Sequence, residues 1–195
     1  MIPDRYSVIR AGFSHDESVA RAGLHSDDDT VRASAVRALH RMHALTTDDV
    51  AEALRDTSRE VRRTAVEVSA KFDVVIRHLL DDPDVFVAEM TAWTLGERTN
   101  PTDADIDSLI AAVESHSEAV VREASAAALG SIGDERGLPA ILKACADKPA
   151  VRRRAILALA PFSGDDVDAA LKSALTDKDW QVRQNAEILL SPRGS

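Results

Sequence analysis

A valine recurs along this chain at nearly even intervals, and each time it opens the same short phrase. The six phrases are Val31–Leu39 (VRASAVRAL), Val61–Ser69 (VRRTAVEVS), Val87–Leu95 (VAEMTAWTL), Val121–Leu129 (VREASAAAL), Val151–Leu159 (VRRRAILAL) and Val182–Leu190 (VRQNAEILL). Arg follows the Val in five of them, with Ala88 in the third. A small residue stands four positions after the Val. Leu stands eight positions after it in all but the second, which has Ser69. A period near 30 residues marks a chain built from short units that cannot bury their apolar faces alone and must stack.

Offsets 0, 4 and 8 fall on one face of a helix, so each phrase predicts an amphipathic trailing helix of about 12–15 residues. A second apolar-periodic stretch precedes most of them: Val50–Leu54, Val74–Leu80, Ile106–Val113, Leu138–Ala144 and Val167–Leu175. These predict leading helices, with Glu17–Leu24 as a short first one. Thr47-Asp48-Asp49, Asp103 and Asp165-Asp166 supply start signals. Gly96, Gly130, Gly133, Pro161 and Gly164 read as ends and turns. Alanine supplies 32 of the 195 residues and aromatics only 4%. That composition suits closely packed helices, because alanine is the best helix former and has the smallest side chain that a helix can present.

The arginine after each valine has a partner pattern of its own. An Asp precedes it by five or six residues in the pairs Asp27/Arg32, Asp56/Arg62, Asp147/Arg152 and Asp177/Arg183. The Asp is expected to cap the trailing helix, and the Arg to reach an acceptor in the adjoining repeat. Arg32, Arg62, Arg122, Arg152 and Arg183, with Asp27, Asp56, Asp147 and Asp177, are therefore assigned to an inter-repeat ladder. Arg122 is included although no Asp stands at that spacing before it.

The phrase Val121–Asp134 (VREASAAALGSIGD) resembles the bacterial HEAT repeats of the phycobilisome-lyase HEAT-like family. The likeness extends over roughly residues 16–190. It implies an all-α, right-handed α-solenoid (an α-α superhelix) of about six two-helix repeats. The expected layout is one domain over 1–195. A cap spans 1–15, repeats span about 16–45, 46–72, 73–99, 102–133, 137–161 and 164–190, and a tail spans 191–195. Tyr6, Ile9 and Phe13 are expected to cover the first core layer, and Trp180 the last.

The resemblance also implies that the trailing helices line a concave surface. Offsets +2, +3 and +6 from each Val should then point outward. The third repeat departs most from the pattern, with Trp93 where a polar residue is typical. Glu89, Trp93 and Glu97 form one stripe at i, i+4 and i+8. The expected partner-binding groove has Glu89, Trp93, Glu97 and Glu123 at its centre, and Arg37, Arg41, Arg63, Arg153 and Arg154 on its shoulders. Trp and Arg are the commonest interface anchors. The competing reading is that Trp93 only fills a gap in a repeat of altered length.

Charge restricts the partner. The net charge is −9, and residues 71–150 alone carry 7 basic against 15 acidic side chains. That balance disfavours nucleic acid and membrane surfaces. No apolar run approaches the ~20 residues of a membrane helix, and the N-terminus shows no signal peptide, so a cytoplasmic protein is expected. Cys145, the single cysteine, lies on an apolar helical pattern and is expected to be a buried structural thiol. His40 and His43 lie at i and i+3, but no further metal ligand is evident, so no metal or other cofactor is expected. HEAT-like deoxyhypusine hydroxylases use His-Glu pairs, and this sequence has no such dipeptide. No nucleophile elbow, phosphate loop or paired acid and base appears. The expected function is a non-enzymatic scaffold that binds a protein or peptide segment. The alternative is a lyase-like or DNA-glycosylase-like protein acting on a tetrapyrrole or nucleic acid.

Overall fold

The computed structural model describes residues 3–191. Residues 1–2 of the expected cap and 192–195 of the expected tail lie outside the described residues. Twelve α-helices and three short 3-10 turns make up the described chain, with no strand among the described residues. The fold is all-α and is built from helix pairs. It divides into two compact units, residues 1–79 and 80–195.

The first unit holds α1 (Arg5–Ser14), α2 (Glu17–Gly23), α3 (Asp29–Arg41), α4 (Thr47–Ala53) and α5 (Arg59–Val68). The second holds α6 (Val85–Gly96), α7 (Asp103–Ser115), α8 (Ala119–Ile132), α9 (Leu138–Ala144), α10 (Pro149–Ala158), α11 (Asp165–Ala174) and α12 (Trp180–Leu190). Trailing helices pack side by side in each unit: α1, α3 and α5 in the first, α6, α8, α10 and α12 in the second. The six repeated valines are all buried, as are Leu39, Leu95, Leu129 and Leu159. Burial of each such side chain contributes about 1.5–3 kcal/mol.

Alanine sets the spacing between neighbouring helices. A Cβ added at Gly96 would lie 2.7 Å from the Ala128 Cα, and one at Gly130 would lie 2.6 Å from the Ala158 Cα. Gly130 therefore sits inside α8 as a contact point rather than ending the helix, and Gly133, at φ 70°, makes the C-cap. Gly12 meets Ala38 in the same way at 3.0 Å. The expected N-terminal cap is thus one more trailing helix, α1, docked on α3.

Four expectations are corrected. Val8 and Ala11 form the α1 core face, whereas Tyr6 (73% exposed), Ile9 and Phe13 (67% exposed) point away from it. Trp180 opens α12 at 59% exposure rather than lying buried over the last core layer. Offset +3 is buried at Ser34, Thr64 and Ala124, because that side of a trailing helix faces the preceding trailing helix. The leading helix expected at Val74–Leu80 is a 3-10 turn over Arg77–Asp81 preceded by non-helical chain. Its run of β-branched Val74, Val75 and Ile76 is a poor helix former. The division between the two units falls within this turn.

Candidate partner-binding faces

The repeated arginines form forks. Arg32 donates from Nε and Nη2 to both Asp56 oxygens at 2.8 Å. Its Nη1 donates to the carbonyls of Ser26 and Asp27. Arg122 grips Asp147 at 2.6 and 2.8 Å, and Arg152 grips Asp177 at 2.8 Å through both oxygens. Each fork joins one repeat to the carboxylate of the next, about 25 residues on. Arg62 and Arg183 donate to loop carbonyls of their own repeats. The Asp side chains do not cap the trailing helices. Asp28, Ser58, Asp84 and Asp179 do so, one or two residues later where a ladder Asp precedes them. Asp56 and Asp177 instead accept from Ser58 N–H and Asp179 N–H, which fixes them for the fork. Asp27 accepts through its carbonyl, and its carboxylate adds only a longer-range attraction to Arg32. The guanidiniums hold Asp56, Asp147 and Asp177 below the usual carboxylate range.

Further ties escape the repeat pattern. Arg21 reaches Asp49 at 3.1 Å and the Ala44 carbonyl at 2.7 Å, which joins α2 to the start of α4. Arg98 meets the buried Asp105 at 3.4 Å, and Asp105 also closes the capping box with Thr102. Neither pair recurs along the chain, and each depends on the geometry of its own loop, so no sequence spacing signals it.

The expected groove residues fall into both units. In the first, Glu60 bridges Arg37 and Arg63 at 3.3 Å each, and Arg37 also lies 4.0 Å from Glu67. In the second, Glu89 and Trp93 are half-buried on α6, and Glu97 is exposed at its end. The Arg154 guanidinium lies 5.3 Å from the Trp93 ring centre, and its Nε is 3.7 Å from Glu123. Trp93, Glu123 and Arg154 therefore form one cluster across α6, α8 and α10. Arg153 is committed elsewhere. It forks onto Asp179, holding that carboxyl at about 2, and its carbonyl accepts from Asn185. A cleft of about 270 Å³ beside this cluster is lined by Glu123, Arg153, Arg154, Leu157 and Gln184, among others. Among the described residues, Glu89 and Glu97 make no ion pair.

The remaining candidates have local roles. Cys145 is half-buried, its thiol donates to the Ile141 carbonyl at 3.4 Å, and burial pushes it up to about 11. It is therefore a protonated packing group. Burial pushes the His40 imidazole down, with Lys71 adding to the effect. Among the described residues, no group of three His, Cys, Asp or Glu side chains is placed to hold a metal ion. No described helix is long and apolar enough to cross a membrane.

Paired helices stacked in register and joined by recurring Arg–Asp forks define a helical-repeat protein. Residues 106–191 match the family model described as HEAT repeats. Among solved structures, the chain is similar to the YibA protein of E. coli, with TM-score 0.69 and 17% identity over 97% of this chain and 75% of that one. An engineered protein gives TM-score 0.62 and 19% identity over 97% of this chain and 60% of that one. A designed armadillo repeat protein gives 0.57 and 17% over 89% and 98%. At these identities the likeness concerns the fold. No curated protein matches the chain.

Proposed function

We propose that this chain is a non-enzymatic interaction module, and that the trailing-helix face of the second unit binds a protein segment. Trp93 is the apolar anchor, and Glu89 and Glu97 receive basic side chains of the partner. Arg154, stacked near Trp93, receives an acidic one. The observation that carries this reading is the pair of unpartnered carboxylates on either side of a half-exposed tryptophan. Elsewhere in the second unit, Arg122 and Arg152 are paired with their acids in forks. Charges left unpaired beside an aromatic anchor steer a complementary partner and fix its register. Arg153 stays bound to Asp179 and serves the fold. The partner is a protein or peptide rather than nucleic acid, because the acidic stripe repels phosphate.

A fluorescein-labelled peptide of repeating Lys-Lys-Leu tests this. Fluorescence anisotropy at low salt should show saturable binding. Glu89→Lys and Trp93→Ala should each weaken it at least tenfold, equivalent to about 1.4 kcal/mol. Equal binding by wild type and both variants contradicts the reading.

A further inference from the structure

A second site of different chemistry lies in the first unit. Between α1 and α3 there is a pocket of about 130 Å³, lined by Arg5, Ile9, Gly12, Ser34, Arg37, Ala38 and Arg41. Its floor is the close contact of Gly12 with Ala38, where an added Cβ would lie 3.0 Å from the Ala38 Cα. The floor is thus backbone and methyl groups, and Ile9 forms an apolar wall. Three guanidiniums stand around the rim.

These arginines are unlike those of the ladder. Arg32, near the start of the same helix α3, is engaged by both Asp56 oxygens. Arg37 has Glu60 and Glu67 only at 3.3 and 4.0 Å. Among the described residues, Arg5 and Arg41 form no ion pair within 4.0 Å, and Arg5 acts on the Asp28 carboxylate only at longer range. Arg5 donates from Nε to the Ser34 hydroxyl at 3.4 Å, and that hydroxyl donates to the Thr30 carbonyl. The Arg41 guanidinium lies 4.0 Å from the Phe13 ring centre. Stacking holds a guanidinium plane in place while leaving its N–H edge open, which prepares it for a carboxylate. It also explains an aromatic ring left in solvent on α1.

We propose that this pocket binds an acidic segment of a protein partner, one in which a carboxylate side chain stands next to an aliphatic one. The aliphatic side chain enters between Ile9 and the Gly12–Ala38 floor. The carboxylate meets Arg41 and Arg5 at the rim, in charge-assisted hydrogen bonds. The pocket volume suits one aliphatic side chain, and the apolar floor offers a bare phosphate no donor. The proposal extends the interaction-module reading to the first unit and to a partner segment of opposite charge.

The test uses the full chain and two labelled peptides, repeating Glu-Glu-Leu and repeating Lys-Lys-Leu. The acidic peptide should bind wild type saturably in low salt. Arg5→Glu combined with Arg41→Glu should weaken it at least tenfold, and Ile9→Asp should weaken it separately. Trp93→Ala should leave it unchanged. Both arginines and Ile9 are exposed, so these variants should keep the wild-type helical circular dichroism. Equal acidic-peptide binding after the double reversal, or none by wild type, overturns the proposal. If the basic peptide still binds in a Trp93-dependent way, only the pocket assignment falls. If neither peptide binds, the module reading falls with it. Competition by inorganic phosphate at concentrations where sodium chloride of equal ionic strength has no effect would replace the acidic segment with a phosphate ligand, and so also overturns the proposal.

Discussion

At the scale of single residues, the ladder arginines carry the clearest energetic prediction. Arg122 satisfies both oxygens of Asp147 and two loop carbonyls from a largely buried position. Removing it leaves a partly desolvated carboxylate with only the Lys148 N–H as a donor. Arg122→Ala should therefore lower the stability of the second unit by about 2–3 kcal/mol, measured by urea unfolding. The same pairs set an acid limit. Asp56, Asp147 and Asp177 are held below the unfolded value of 3.8. Their contribution is complete above that pH and is lost as pH falls through the depressed folded values. The urea midpoint should stay nearly level from pH 7 to about 5 and fall below about 4. Arg152→Ala should show a shallower fall, because Asp177 then has less to lose. The ladder arginines were legible because they repeat. Arg41 was legible only as a basic groove residue and Arg5 not at all, since their shared pocket depends on α1 lying beside α3.

At the scale of elements, the close helix contacts make a counter-intuitive prediction. Gly→Ala inside a helix ordinarily gains about 1 kcal/mol from propensity. Here Gly130→Ala should instead destabilise by about 1–3 kcal/mol, because the new methyl collides with α10 backbone. Gly12→Ala, with the looser 3.0 Å contact, should cost less. Thermal unfolding of the two variants measures the difference, and a gain at Gly130 would refute the packing described. The helices themselves were largely legible from the valine period and the start signals. The third leading helix was not, because its apolar spacing fits a helix while its Val-Val-Ile run resists one. Trp180 and the Tyr6, Ile9 and Phe13 face misled for a related reason. An apolar residue near an array edge reads as core in sequence, yet small alanines and valines had already filled that core.

At the scale of the whole molecule, the repeat pattern made the all-α fold legible, while the −9 charge located its acidity without explaining it. In the structure most arginines of the second unit find acids, so the stripe at Glu89, Trp93 and Glu97 stands out by what it lacks. Sequence alone proposed that stripe as a surface but could not show that Arg153 would be taken by Asp179. It also could not show that Arg154 would lie near the indole. The most direct test of a partner-binding Trp93 is its emission in a Trp180→Phe variant, titrated with the repeating Lys-Lys-Leu peptide. The account predicts an indole that acrylamide quenches in the free protein and that becomes saturably protected as peptide binds. A fully buried emission that neither acrylamide nor peptide changes would contradict it.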